Sequence, residues 1–189
     1  MTRAADLRSL LLDHVPADPR EAGFVGTMLE VLEASGEAAF ARSHFEPGHF
    51  TASAFIVHPD RRQILLILHS KFGIWLQPGG HVDPEDADIA AAARREVAEE
   101  TGLGGGRITR SEAFGGLLDV DIHDIPANPR KGEPPHQHLD VRFCFVADTD
   151  VVVAGSDAND ARWVPLEGAD ELDTDESVRR ALRKLRAAL

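Results

Sequence analysis

The stretch from Asp86 to Thr101 constrains this chain most, because its alanine density and early acidic residues predict a strong helix. Gly102 just beyond it is a favourable C-terminal stop. On a helical wheel of about 100° per residue, Ile89, Ala92, Ala93 and Leu103 fall within about 60° of Glu96, and so do Glu99 and Glu100. The three glutamates therefore continue the apolar stripe. Carboxylates on a packing face are costly unless something neutralises them, and a hard cation bound through oxygen is the natural neutraliser. A solvated face with an Arg95–Glu99 pair at i,i+4 spacing is the alternative. The turn ahead of the helix favours the cation, since Gly79-Gly80 lets backbone approach a ligand closely.

The rest of the chain frames that helix. Helical patterns run over Ala4–His14 and Glu21–Ala34, the second stopped by Gly36. Phe50–His58 and Gln63–His69 read as strands joined through Pro59-Asp60-Arg61-Arg62 in a hairpin. Strand-like runs follow at Ala113–His123, His138–Ala147 and Ala161–Leu166, with a terminal helix over Glu176–Leu189. Strands interrupted by one helix and closed by another predict an α+β fold or a mixed-sheet α/β/α sandwich. The first 45 or so residues read as an extension.

Composition narrows the function. The net charge of −12 comes with no basic patch, which argues against nucleic acid as a partner. An acidic protein that binds phosphates needs cations from elsewhere, and carboxylate-held divalent ions would supply them; alternatively the charge only keeps the protein soluble. No apolar run nears the roughly 20 residues that span a bilayer, and the first twelve residues lack the apolar core of a secretory signal. The single cysteine, Cys144, fits a cytoplasmic setting and reads as a buried small hydrophobe in an alternating strand.

Gly80 together with Arg95-Glu96-Val97-Ala98-Glu99-Glu100-Thr101-Gly102-Leu103 resembles the Nudix box: a glycine, five residues, a glutamate, seven residues, then REUxEExGU with U aliphatic. Trp75-Leu76-Gln77-Pro78-Gly79-Gly80 resembles the family's lead-in, and Ala161–Leu166 its closing strand. One spacing departs. Arg95 follows Gly80 by fifteen residues where the pattern has fourteen, so one residue is inserted before the helix and Glu85 or Asp86 fills the first glutamate's role.

The resemblance implies a Nudix-type α/β/α sandwich around a mixed sheet over Phe50–Leu189, with residues 49–189 as the Nudix domain and 1–48 as a helical extension. It implies Mg²⁺ or Mn²⁺ held by Glu96, Glu99 and Glu100, with the Gly80 carbonyl as an extra ligand. Glu99 is the first choice for the residue that deprotonates water, and Arg95 would orient a box carboxylate. The activity implied is pyrophosphohydrolysis of a nucleoside diphosphate linked to another moiety, a nucleoside triphosphate or a nucleotide sugar.

Candidate substrate contacts are His69 and Lys71 for phosphate, Trp75 and Phe72 for base stacking, and His136 and His138, which alternate on a strand. A metal at His123, His136 and His138, or a base from Glu133, is a further reading of that region. The proline that marks ADP-ribose hydrolases would fall near Leu118 and is missing; the tyrosine that marks dinucleoside-polyphosphate hydrolases is missing too, as the chain has none. A nucleotide sensor without turnover and a prenyl-diphosphate isomerase stay open on the same fold; the isomerase would want its cysteine in a pocket strand. The N-terminal helices would pack on the domain or on a second copy in a homodimer.

Overall fold

The computed structural model describes residues 2–104, 106–155 and 158–189. Eight strands form one mixed sheet: β1 (Gly48–Val57), β2 (Gln63–His69), β3 (Trp75–Leu76), β4 (Gly79–His81), β5 (Ile108–Arg110), β6 (Asp119–Ile125), β7 (His136–Ala147) and β8 (Ala158–Pro165). Its main path runs β3-β2-β1-β7-β5, with β4 on β1, β6 on β7 and β8 on β2. Among the described residues only β1 and β7 run parallel, in unbroken register from Gly48 opposite Gln137 to Val57 opposite Val146; the other pairs are antiparallel.

Side chains on a strand alternate between faces, so a central strand buried on both sides reads as continuously apolar. β1 does this. Phe50, Ala52, Ala54 and Ile56 enter one core, while Phe55 and Val57 enter the other. The first core lies under α3 (Ile89–Thr101) and takes in the N-terminal helices α1 (Arg3–Asp13) and α2 (Pro19–Ser35) through Leu7, Leu11, Met28, Val31 and Leu32. The second lies under α4 (Glu176–Ala188), which contributes Val178, Ala181, Leu182 and Leu185. The result is the α/β/α sandwich expected from the order of elements.

Glu21 ties the N-terminal helices to the rest. Its carboxylate is fully buried and accepts from the Ala17 and Val120 N–H groups and from Lys184 of α4, with the His14 ring 2.8 Å away. Burial works against its ionisation, but these partners outweigh burial and hold its pKa well below the usual carboxylate range.

β7 and β8 start two and three residues earlier than the sequence reading has them, the glycine-rich turn at Gly79-Gly80 is the short strand β4, and two further boundaries differ for clear reasons. The central helix starts at Ile89, because Asp88 is its N-cap and accepts from the Ala91 N–H at 2.7 Å. Asp86 lies before it, its carboxylate accepting from the Asp83 N–H at 2.8 Å. The run predicted as strand from Ala113 begins as a short 3₁₀ turn, Glu112–Phe114, and only Asp119–Ile125 is strand. Gly115 and Gly116, which offer no side chain to pack, fall in the gap.

Candidate active site

Pairing of β4 with β1 places Gly79 opposite Ser53 and Gly80 opposite Ala52, directly beneath α3. Neither glycine has positive φ. Their need is space. A Cβ on Gly79 would stand 2.2 Å from the Ser53 Cβ, and one on Gly80 would stand 2.7 Å from the carboxylate of Glu96. The room that the sequence reading gave to a ligand is thus taken by the protein's own groups. The Gly79 N–H also donates to Glu100 at 2.9 Å, so this short strand fixes Glu100 and leaves room for Glu96.

The three glutamates differ in burial. Glu100 is buried at 7% exposure and Glu96 is mostly covered, but the Glu99 side chain is 57% exposed. The packing stripe of α3 centres nearer Ala93 and Val97, so Glu96 lies at its edge and Glu99 outside it. Burial pushes the Glu96 carboxyl pKa upward, with Glu99 and Asp83 adding to that and Arg95 opposing it.

Arg95 organises this edge. Its guanidinium donates to Asp86 through Nε (3.2 Å) and Nη2 (3.0 Å), to Glu96 at 2.8 Å, to the His81 carbonyl at 2.8 Å and to Glu99 at 3.3 Å. The Asp86 hydrogen bonds, above all, raise its pKa. Of the two acids that compete for the displaced box position, Asp86 is the one engaged; Glu85 is exposed. Asp86 lies behind Arg95 and does not line the cleft. The i,i+4 pair with Glu99 is present as well, so the arginine serves both arrangements that the spacing allowed.

These groups open on a cleft of about 1120 Å³. Gly80, Arg95, Glu96, Glu99 and Glu100 line it together with His69, Lys71, Phe72, His136 and His138. Phe72 is 54% exposed, with the Lys71 ammonium 5.1 Å from its ring centroid. Trp75 does not reach the cleft. It is buried in the second core with the Arg162 guanidinium 4.1 Å over its ring, so core packing overrides the stacking role expected for it.

Sequence reasoning missed His49 and His81. Both join His136 and His138 on the cleft wall, with His49 ring centroids 5.2 Å from His81, 5.1 Å from His136 and 4.9 Å from His138. Burial, aided by Arg42 and the neighbouring imidazoles for His49 and His81 and by imidazoles alone for His138, pushes His49 and His81 down to about 4 and His138 to about 2. The floor carries Asp140, which accepts from Thr51 (3.1 Å), Ser53 (2.8 Å) and the buried Arg142 (2.9 Å). The loop after α2 adds Arg42. Cys144 belongs to the second core; burial pushes its thiol up to about 12.

A sequence model of the NUDIX domain matches residues 47–185. The chain belongs to the Nudix hydrolase family. Among curated relatives, it is 36% identical over 89 residues to a probable DHNTP pyrophosphohydrolase of Lactococcus lactis, an alignment that takes in 47% of this chain and 43% of that protein. This chain therefore matches less than half the length of that relative. It is 32% identical over 110 residues to the asymmetrical bis(5'-nucleosyl)-tetraphosphatase of Sus scrofa, covering 57% of this chain and 67% of that protein. The fold matches solved structures of a C. elegans Ap4A hydrolase (TM-score 0.54, 23% identity, 73% of this chain and 95% of that one) and of the E. coli dihydroneopterin triphosphate pyrophosphohydrolase (TM-score 0.54, 17% identity, 71% and 92%). Among the described residues no helix is long and apolar enough to cross a membrane.

Proposed function

We propose that this Nudix protein is a divalent-metal-dependent pyrophosphohydrolase whose substrate is a nucleoside triphosphate or a similar ring-bearing polyphosphate. The observation that carries the reading is the set of Glu96, Glu99 and Glu100 on one edge of α3, gathered by Arg95 and opening on a single cleft. The names of two curated relatives, a probable DHNTP pyrophosphohydrolase and a bis(5'-nucleosyl)-tetraphosphatase, support a polyphosphate substrate. That favours the triphosphate over the nucleotide sugar. In this reading residues 49–189 form the catalytic domain, and the first 48 supply one wall of its cleft.

The donor set fits Mg²⁺ or Mn²⁺. Three carboxylates and the Gly80 carbonyl are hard oxygen ligands, and a carboxyl that burial pushes toward protonation gains from a cation beside it. When bound, such an ion supplies charge neutralisation and water activation. The protein's own groups do the remainder. Glu100, fixed by the Gly79 N–H, and Glu96, fixed by Arg95, hold their oxygens still. Glu99, the most exposed of the three and bonded to Arg95 only at 3.3 Å, takes a proton from the attacking water. Lys71 and Arg42 give the polyphosphate positive partners, and Phe72 offers the base a face to stack on.

The isomerase reading loses its nucleophile, since Cys144 is buried in the second core. A panel of nucleoside triphosphates, nucleotide sugars, dinucleoside polyphosphates and dihydroneopterin triphosphate, each with Mg²⁺ and Mn²⁺, tests the proposal. It predicts turnover of a triphosphate with release of pyrophosphate or phosphate. Binding of nucleotides without turnover of any of them would instead make the protein a sensor.

A further inference from the structure

The sheet brings three imidazoles to one point beside the glutamates. In the parallel β1–β7 register His49 stands opposite His138. His81 on β4 pairs with Thr51, two residues along β1 and so on the same face as His49. One ring nitrogen from each of His49, His81 and His138 lies within 4.8 Å of the other two. Three strands, not one flexible loop, fix this convergence.

His49 shows what the convergence is set for. The residue is 1% exposed, and its Nδ1 lies 3.2 Å from the His44 carbonyl oxygen. A carbonyl only accepts, so the proton of the neutral ring sits on Nδ1 and a lone pair is left on Nε2. That Nε2 is buried and has no hydrogen-bond partner among the described residues. A buried acceptor without a partner is costly, whereas an imidazole whose other nitrogen donates to a backbone carbonyl is the usual form of a metal-bound histidine. The His136 ring stacks on His49 at 5.1 Å and limits its rotation.

We propose that His49, His81 and His138 bind a borderline divalent cation of the Zn²⁺ type, at a site distinct from the oxygen-ligand site of the glutamates. Imidazole nitrogens select Zn²⁺ and similar ions, while Mg²⁺ prefers oxygen, so one cleft sorts two cations by donor chemistry. Tetrahedral Zn–N bonds of about 2.05 Å place ligand nitrogens roughly 3.4 Å apart, so the rings draw together on binding. Three histidines leave a coordination position for water or for a phosphate oxygen of a bound substrate.

The test is a Zn²⁺ titration of the full chain in excess Mg²⁺, read against a chromophoric chelator, with Co²⁺ substitution followed by visible absorption. The expected result is one Zn²⁺ per chain that persists in Glu99→Gln and Glu100→Gln. Its affinity should fall about 100-fold or more in His138→Ala and in His81→Ala. Both of those residues are only half-buried, and far-ultraviolet circular dichroism checks that each variant folds; His49→Gln is the third arm. Unchanged Zn²⁺ affinity in folded His138→Ala and His81→Ala would overturn the proposal. So would Zn²⁺ binding that vanishes with the glutamates, or no Zn²⁺ binding at all. The measurement reads metal and not turnover, so it stands or falls separately from the hydrolase assignment.

Discussion

At the scale of single residues, the two adjacent glycines make opposite predictions. A methyl group on Gly79 meets the Ser53 backbone and Cβ, which cannot move without moving β1. Gly79→Ala should therefore lower stability by about 2 kcal/mol or more, read as a drop in the urea midpoint. The atoms nearest to a methyl on Gly80 are the carboxylate end of the Glu96 side chain, which can swing aside. Gly80→Ala should keep nearly wild-type stability and lose most hydrolytic rate, because Glu96 leaves its place by Arg95. The glutamates were legible in the sequence because Glu96, Glu99 and Glu100 fall within two turns of one helix, where periodicity alone sets their direction. What the glycines are for was not legible, since Ser53 lies 26 residues before Gly79 and only strand pairing brings the two together.

At the scale of elements, α1 and α2 are part of the first core, and Glu21 is where they are fastened. Glu21→Ala would strip partners from Lys184, the Val120 N–H and the Ala17 N–H at once. The expected loss is about 3 kcal/mol, measured by chemical denaturation. If the N-terminal helices were only loosely attached, the loss would be under about 0.5 kcal/mol. The helices and the five longer strands were readable from periodicity and punctuation, to within a few residues at most ends, whereas β3, β4 and β5, of two or three residues each, are too short to carry a period. The docking of α2 was not, because a glutamate at position 21 looks like any first-turn acidic residue until Lys184 of α4 is found beside it. His49 and His81 escaped notice for the same reason. They come from separate strands and meet only through the register of the sheet.

At the scale of the whole molecule, the buried carboxylates set the acid limit of the fold. Asp121 is held down to about 2 against burial by His123, Arg142 and Arg180, and Glu21 is also depressed. Depressed carboxylates bind fewer protons folded than unfolded, so their contribution is complete above pH 4.5 and is lost as pH falls toward 2. Denaturation midpoints should fall steeply below pH 4.5; a flat profile to pH 3 would contradict the buried network. The net charge of −12 bears on the catalytic claim, because a molecule this acidic needs a cation to receive a polyphosphate. The most direct test is the initial rate of nucleoside triphosphate hydrolysis for wild type, Glu99→Gln and Glu100→Gln, with Mg²⁺ and again with EDTA. The account predicts hydrolysis that EDTA abolishes and that each substitution reduces by about 100-fold or more, with unchanged circular dichroism. Full activity in both variants, or turnover that EDTA leaves untouched, would contradict it.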